Sequence, residues 1–164
     1  MILFNTIDRP EDRPNTLLWC SLGNTLSGTI INKAFQWIFA VTKQADMTLV
    51  TLLILGFGDG LAEPIGIYFG RHIYWVNAWC TVEKRRYQRS LEGSSCVWIT
   101  SIVSISIFFY FFQNQIQFWT AIIILPPLMT FAEALSPHTL DNCILLVVGN
   151  VALLLIGHLQ LAWK

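Results

Sequence analysis

Two carboxylates stand in the segment GFGDGLAEPIG, residues 56–66, of a chain with few charges. Asp59 and Glu63 are four residues apart, so on a helix they would share one face and could hold a divalent cation together. A helix starting at Met47 would carry Asp59 roughly 18 Å along its axis, still within the hydrocarbon of a membrane. A carboxylate at that depth is costly unless it is paired or lines a wet cavity, which makes Asp59 a candidate functional residue.

The backbone around Asp59 is predicted to be irregular. It contains three glycines and a proline: Gly56, Gly58, Gly60 and Pro64. Glycine permits conformations closed to other residues, and proline cannot continue an unbroken helical ladder, so we expect a broken or bent helix here. Gly66 and Gly70 extend the segment as a stripe of small residues suited to close helix packing. The structural alternative is a glycine-rich packing helix whose carboxylate reaches toward the membrane surface.

A basic segment supplies the opposite charge. KRRYQR, residues 84–89, places four cations together, directly before Ser90, Glu92 and Gly93. Such a cluster beside a membrane also orients the protein and attracts anionic lipids, and that alternative stays open. Carboxylates that could hold Mg²⁺ beside arginines that could hold phosphate oxygens are the two halves of a phosphoryl or nucleotidyl transfer site.

The elements that must position these residues are membrane helices. Hydrophobic residues make up 54% of the 164 and charged residues 12%, against about 25% charged in a soluble domain. The sequence predicts one integral membrane domain over 1–164, an all-α helix bundle with about five transmembrane helices. The predicted spans cover about 17–41, 47 into the GDG stretch, 94–112, 118–135 and 142–161. Pro126 and Pro127 should kink the fourth.

Lys and Arg set the predicted orientation, because cytoplasmic loops carry an excess of them. They concentrate in the 70–93 loop and in the arm formed by residues 1–16. Both are therefore predicted to be cytoplasmic, which places the N-terminus inside and the C-terminus outside. Nearly all polar candidates then fall at the cytoplasmic ends of the spans.

Several other site types are excluded by their missing patterns. The sequence has no GxxxxGK[ST] loop, no GxGxxG turn and no HExxH motif. Its four cysteines show no CxxC spacing, so they are expected to be reduced and structural.

Four short motifs resemble one family. GDGLAEPIGIYFGRH, RSLEGS, AEAL and the DN that begins the last span look like the CTP-dependent lipid kinases, which include diacylglycerol, polyprenol, dolichol and phytol kinases and are related to the phosphatidate cytidylyltransferases. The resemblance covers about residues 52–151. It implies transfer of a phosphoryl group from CTP to a lipid alcohol, with Mg²⁺ as cofactor. Family members often have Lys where this chain has Arg89, and they commonly have additional N-terminal spans.

The resemblance and the charge pattern together assign roles to named residues. The catalytic candidates are Asp59 and Glu133, and the metal candidates are Asp59, Glu63 and Asp141. The nucleotide-binding candidates are Arg71, Lys84, Arg85, Arg86, Arg89, Ser90, Glu92, Gly93 and Asn142. The family's small-residue ridge falls on Ala62, Gly66 and Gly70.

The expected partners are a membrane lipid and CTP, with homo-oligomerisation left open and no nucleic acid. The expected location is a bacterial inner membrane or an organelle membrane, with the site on the cytoplasmic side. Two rival functions remain. One is nucleotidyl transfer from CTP to phosphatidate, and the other is a non-catalytic transport or scaffold role for the carboxylates.

Overall fold

Five helical segments make up most of the structure, a computed structural model that describes residues 23, 25–41, 44–77, 86–136 and 141–158. A π-helical segment, Leu26–Ile31, continues into α1, Asn32–Val41. The remaining helices are α2, Thr48–Phe69, α3, Leu91–Ile107, α4, Gln115–Leu135, and α5, Asp141–His158. The predicted all-α class therefore fits, and the arm formed by residues 1–16 lies outside the described residues.

Three of these helices are long and apolar enough to cross a membrane: α2, α4 and α5. They correspond to the predicted second, fourth and fifth spans. The apolar helix α3 coincides with the predicted third span but is shorter, at 17 residues. The predicted first span is represented by the described part of residues 25–41. The chain is thus a candidate membrane protein, and the count of five spans stays a prediction.

The irregularity predicted near Asp59 takes the form of a π-helical segment. Residues Ile54–Asp59 adopt π geometry between two α-helical stretches of α2. The helix does not break at this point, and it also continues through Pro64. π-Helical insertions inside α-helices are frequent at functional sites.

The 70–93 segment, predicted to be a loop, contains a β-hairpin. Strands β1, Ile73–Asn77, and β2, Arg86–Ser90, pair antiparallel, with Ile73 opposite Ser90 and Trp75 opposite Gln88. The run IYWVN is rich in β-branched and aromatic residues, which favour strands. β2 leads directly into α3, so the hairpin is attached to the helical bundle at that junction.

The core lies between the helices, where α3 packs on α2 and α4, and α5 packs on α4. Its fully buried side chains include Ile54, Val97, Leu125, Met129 and Leu145. α4 begins with a reciprocal cap, in which Asn114 Oδ1 accepts from the Gln117 N–H at 3.1 Å and Gln117 Oε1 accepts from the Gln113 N–H at 2.9 Å. Such caps satisfy backbone groups that the first helical turn leaves unpaired. The same helix continues through Pro126 and Pro127.

Candidate functional site

A cavity of about 360 Å³ lies where the hairpin meets the ends of three helices. α2 contributes one wall, the hairpin a second, the first turn of α3 a third and the last turns of α4 the floor. Its polar lining comprises Glu63, Gln88, Arg89, Ser90, Ser94 and Glu133. Four of these six, namely Glu63, Arg89, Ser90 and Glu133, are residues that the sequence predicts for a site. The structure therefore brings together residues from three distant parts of the chain.

The strongest contact at the cavity is the ion pair between Arg89 and Glu133. Arg89 Nη1 lies 2.8 Å from Glu133 Oε1, and the two side chains are only 11% and 3% exposed. Arg89 Nη2 also donates to the main-chain carbonyls of Glu133 at 3.2 Å and of Ser136 at 3.5 Å. These carbonyls belong to the end of α4, where helical carbonyls lack intrahelical partners and attract a cation. One side chain thus neutralises a buried acid and terminates a helix.

Two polar atoms of this ion pair have no partner in the part of the chain that the structure describes. Arg89 Nε and Glu133 Oε2 are buried and have no hydrogen-bond partner among the described residues. A buried polar atom without a partner costs about 1–3 kcal/mol. Such exceptions are rare in folded proteins, and one recognised reason for them is a catalytic or ligand-binding role.

Three glycines allow the walls of the cavity to approach each other. A Cβ on Gly66 would lie 2.7 Å from Ser90 Oγ, and a Cβ on Gly93 would lie 2.7 Å from the backbone oxygen of Ala62. A Cβ on Gly70 would lie 3.0 Å from the Cβ of Ser90. The ridge of small residues predicted from sequence therefore packs α2 against the junction of β2 and α3.

Ser90 and Glu92 fix the start of α3. Ser90 Oγ accepts from the Gly93 N–H at 3.1 Å, which is an N-cap. Glu92 Oε1 lies 2.9 Å from His72 Nδ1, and the backbone N–H of His72 donates to the same carboxylate at 3.3 Å. These hydrogen bonds lower the pKa of Glu92 to about 2, because they favour the charged form. The structure gives Glu92, predicted to bind nucleotide, a contact that joins the hairpin base to α3.

Asp59 lies beside this site without lining the cavity. It is half-buried at the end of the π-helical segment, and its charge interacts with that of Glu133. Glu63, one turn further along α2, lines the cavity itself. The two acids that the sequence places on one helical face are therefore both near the Arg89 pair.

Asp59 and Glu63 are the carboxylates predicted to hold a metal that lie nearest the Arg89 pair. The described residues contain no group of three or more His, Cys, Asp or Glu side chains placed to hold a metal. Nucleotide-bound Mg²⁺ needs only one or two protein carboxylates, because phosphate oxygens and waters supply its other ligands. Asp59 and Glu63 would provide those carboxylates, next to a buried carboxylate oxygen of Glu133 that has no partner among the described residues.

Asp141, Asn142 and Arg71 are not among the residues that line the cavity. Asp141 and Asn142 begin α5, where Asp141 Oδ1 accepts from the Asn142 N–H at 2.8 Å. Arg71 is exposed between α2 and β1. Arg86 begins β2. Lys84 and Arg85 fall outside the described residues, so their predicted role in binding a nucleotide stays a prediction.

Two polar lining residues were missed by the sequence predictions. Gln88 lies on β2 opposite Trp75, and Ser94 lies in the first turn of α3, where its Oγ is 2.6 Å from the hydroxyl of Tyr74. Recognising the hairpin would have pointed to Gln88, because residues 88 and 90 share one face of a strand. Nothing in the sequence marks the contact between Tyr74 and Ser94.

No protein-family model, curated protein or solved structure matches this chain.

Proposed function

We propose that this chain is a membrane-embedded kinase that transfers the terminal phosphoryl group of CTP to a lipid alcohol. The observation that carries the proposal is the buried pair of Arg89 and Glu133 at a polar cavity, with Asp59 and Glu63 beside it. Opposite charges from a hairpin and two helices converge there. The resemblance of four short motifs to CTP-dependent lipid kinases supports the choice of nucleotide and acceptor.

The proposed topology has five spans, with the N-terminus and the cavity on the cytoplasmic side. The concentration of Lys and Arg around the hairpin supports this orientation. It also lets a water-soluble nucleotide reach the cavity directly. The membrane would be a bacterial inner membrane or an organelle membrane, and the acceptor would be a diacylglycerol, polyprenol, dolichol or phytol type of alcohol.

Binding of the phosphates would use the groups that the ion pair leaves available. Arg89 Nε has no partner among the described residues, and the planar guanidinium can donate hydrogen bonds to phosphate oxygens. Ser90 and the first backbone N–H groups of α3 form a helix N-terminus that suits an anion. A phosphate at Arg89 would compete with Glu133 and release its carboxylate.

The transfer step forms one P–O bond, breaks another and moves one proton. The hydroxyl oxygen of the lipid attacks the γ-phosphorus of CTP, the bond from that phosphorus to the bridging oxygen breaks, and CDP leaves. Glu133, which lines the cavity, accepts the hydroxyl proton. Asp59 and Glu63 would hold a magnesium ion, which would neutralise charge on the phosphates.

The decisive experiment uses CTP labelled on its γ-phosphate, magnesium and the purified protein in detergent or lipid discs. A panel of lipid alcohols serves as acceptors, and phosphatidate is included. Wild-type protein is expected to label an alcohol, and Asp59→Asn is expected to lose at least tenfold in rate. Asp46→Asn is the matched control, because Asp46 is an exposed aspartate in the 3-10 turn that precedes α2, away from the cavity.

Each alternative outcome overturns the proposal in a distinct way. Release of labelled pyrophosphate with phosphatidate would show nucleotidyl transfer instead of a kinase. Absence of CTP binding and of turnover with every acceptor would favour a transport or scaffold protein. Equal activity of the Asp59 and Asp46 variants would remove Asp59 from the site.

A further inference from the structure

The hydroxyl of Ser94 bonds to the hairpin instead of to its own helix. Three other serines of α3, Ser95, Ser101 and Ser106, donate to the carbonyl oxygen four residues earlier, at 2.7, 2.7 and 2.8 Å. That bond is a common outlet for a serine hydroxyl within a helix. Ser94 Oγ lies 2.6 Å from the hydroxyl of Tyr74 on β1. Because Ser94 is buried and lines the cavity, the hairpin controls the direction of a hydroxyl at the cavity wall.

Tyr74 stands directly opposite Arg89 in the hairpin. Side chains of directly opposed residues lie on the same face of a sheet. Both reach the helical bundle from that face, Arg89 to Glu133 on α4 and Tyr74 to Ser94 on α3. Arg89 and Ser94 also line the cavity. One pair of opposed residues therefore places two of the polar groups in the cavity wall.

The hydroxyls of Tyr74 and Ser94 carry one more hydrogen than the described residues accept. Each residue has one O–H group, and the bond between them uses one of the two hydrogens. A phenol is more acidic than an alcohol and is the better donor, so the bond is expected to run from Tyr74 to Ser94. The Ser94 hydrogen then has no acceptor in the part of the chain that the structure describes. A hydroxyl that receives one hydrogen bond donates the next one more strongly.

We propose that Ser94 donates a hydrogen bond to a phosphate oxygen bound in the cavity, and that Tyr74 is the residue that positions its hydroxyl. Arg89 lines the same cavity and supplies the positive charge that suits a phosphate group. Glu63 and Glu133 line it as well, so the phosphate is expected to bind together with Mg²⁺. The choice of phosphate rests on the proposed function, and two sources offer this chemistry, a nucleotide and a lipid headgroup.

Binding titrations test the proposal without measuring turnover. Ser94→Ala removes the proposed donor, Tyr74→Phe removes only the hydroxyl that positions it, and a double variant combines the two changes. Ser95→Ala is the matched control, because Ser95 is the exposed neighbouring serine and its hydroxyl bonds to its own helix. The ligands are CTP with Mg²⁺, pyrophosphate with Mg²⁺, and phosphatidate with Mg²⁺ in mixed micelles. Each is titrated by calorimetry against the purified protein in detergent.

Ser94→Ala is expected to weaken the binding of at least one ligand about tenfold, the scale of one hydrogen bond to a charged group. Tyr74→Phe should weaken the same ligand by a smaller factor, because Ser94 keeps its hydroxyl and loses only its alignment. The double variant should bind like Ser94→Ala, since Tyr74 acts through Ser94, and Ser95→Ala should bind like wild type. Weaker binding of CTP and pyrophosphate identifies a nucleotide phosphate, and weaker binding of phosphatidate alone identifies a lipid phosphate.

Wild-type affinity of Ser94→Ala for all three ligands would overturn the proposal, and so would a wild-type protein that binds none of them. A further loss in the double variant would also overturn it, because Tyr74 would then act by a route other than Ser94. Should Ser94→Ala not fold, Tyr74→Phe tests the same contact, since it keeps the aromatic ring. Binding that depends on Ser94 without any phosphoryl transfer would refute the kinase and leave this inference standing.

Discussion

The guanidinium of Arg89 and the carboxylate of Glu133 meet at 2.8 Å in a setting where neither side chain is more than 11% exposed. The same guanidinium holds the carbonyl oxygens of Glu133 and Ser136. Arg89 thus connects the hairpin to the end of α4. Arg89 would bind phosphate in the proposed reaction, and it also holds the hairpin against α4. A substitution of Arg89 is therefore expected to change both the free energy of unfolding and the activity.

Replacing Arg89 by methionine is expected to destabilise the protein strongly. The change leaves the Glu133 carboxylate buried without its cation and removes a donor from the end of α4. Breaking a buried ion pair on one side costs about 3–5 kcal/mol. The free energy of unfolding, measured by denaturant titration in detergent, should fall by this order.

The double variant Arg89→Met with Glu133→Gln provides the control for that experiment. Because the uncompensated charge is absent, the double variant should be more stable than the sum of the single effects predicts. Strict additivity would show that the two side chains do not interact in the folded protein.

Alanine at Gly93 is expected to separate α3 from α2. The new Cβ would lie 2.7 Å from the backbone oxygen of Ala62, and a backbone atom cannot rotate away. Forced overpacking of this kind costs about 1–3 kcal/mol. Gly60→Ala is the matched control, since its Cβ would meet nothing within 4 Å and alanine favours a helix. Thermal unfolding should show Gly93→Ala below wild type and Gly60→Ala at or above it, and equal midpoints would refute the close contact.

The helices could be predicted from sequence because hydrophobic runs and turn residues are local signals. The GDG stretch predicted an irregular helix near Asp59. The ridge of Ala62, Gly66 and Gly70 predicted that α2 packs closely against a neighbouring element. The hairpin was missed because its charges suggested a solvated loop, although IYWVN has the composition of a strand. The strand pattern covers only five residues, and the neighbouring cluster of basic residues favoured a loop.

The sequence predicted which residues belong to the site better than it predicted which of them contact each other. Arg89 and Glu133 were both candidates, but their direct pairing depends on how the hairpin folds back over α4, a relation between residues distant in sequence. The contact of His72 with Glu92 also depends on the hairpin, which brings the end of α2 back to the first turn of α3. Sequence chemistry names such residues, and tertiary packing decides which of them meet.

The contact between His72 and Glu92 predicts a pH-dependent stability. The folded-state pKa of Glu92, about 2, lies below its ordinary value of 4.5. A group whose pKa is lowered by folding contributes stability that is fully present above the unfolded value and is lost as the pH falls through the folded value. The stability difference between wild type and Glu92→Gln should therefore be largest above pH 4.5 and shrink toward pH 2. Unfolding midpoints measured across this interval provide the test.

His72→Ala is the companion variant for the pH experiment, because it removes the ring that contributes most to the lowered pKa. Its stability should show a weaker dependence on pH in the same interval. Parallel profiles of wild type and Glu92→Gln down to pH 2 would mean that the carboxylate is not stabilised by folding.

Thr51 and Asn150 form a buried hydrogen bond inside the bundle. We expect the loss of stability to differ according to which of the two is replaced by an apolar residue. Thr51 Oγ1 donates to Asn150 Oδ1 at 2.8 Å and also lies 2.9 Å from the carbonyl oxygen of Thr48, while Asn150 Nδ2 has no partner among the described residues. Thr51→Val leaves a fully buried amide without a hydrogen bond to any described residue, at an expected loss of about 1 kcal/mol. Asn150→Val should cost less, because the Thr51 hydroxyl keeps its bond to Thr48. Adding Asn150→Val to Thr51→Val should recover stability in detergent unfolding, since removing both partners removes the unsatisfied groups, and a further loss in the double variant would contradict this account.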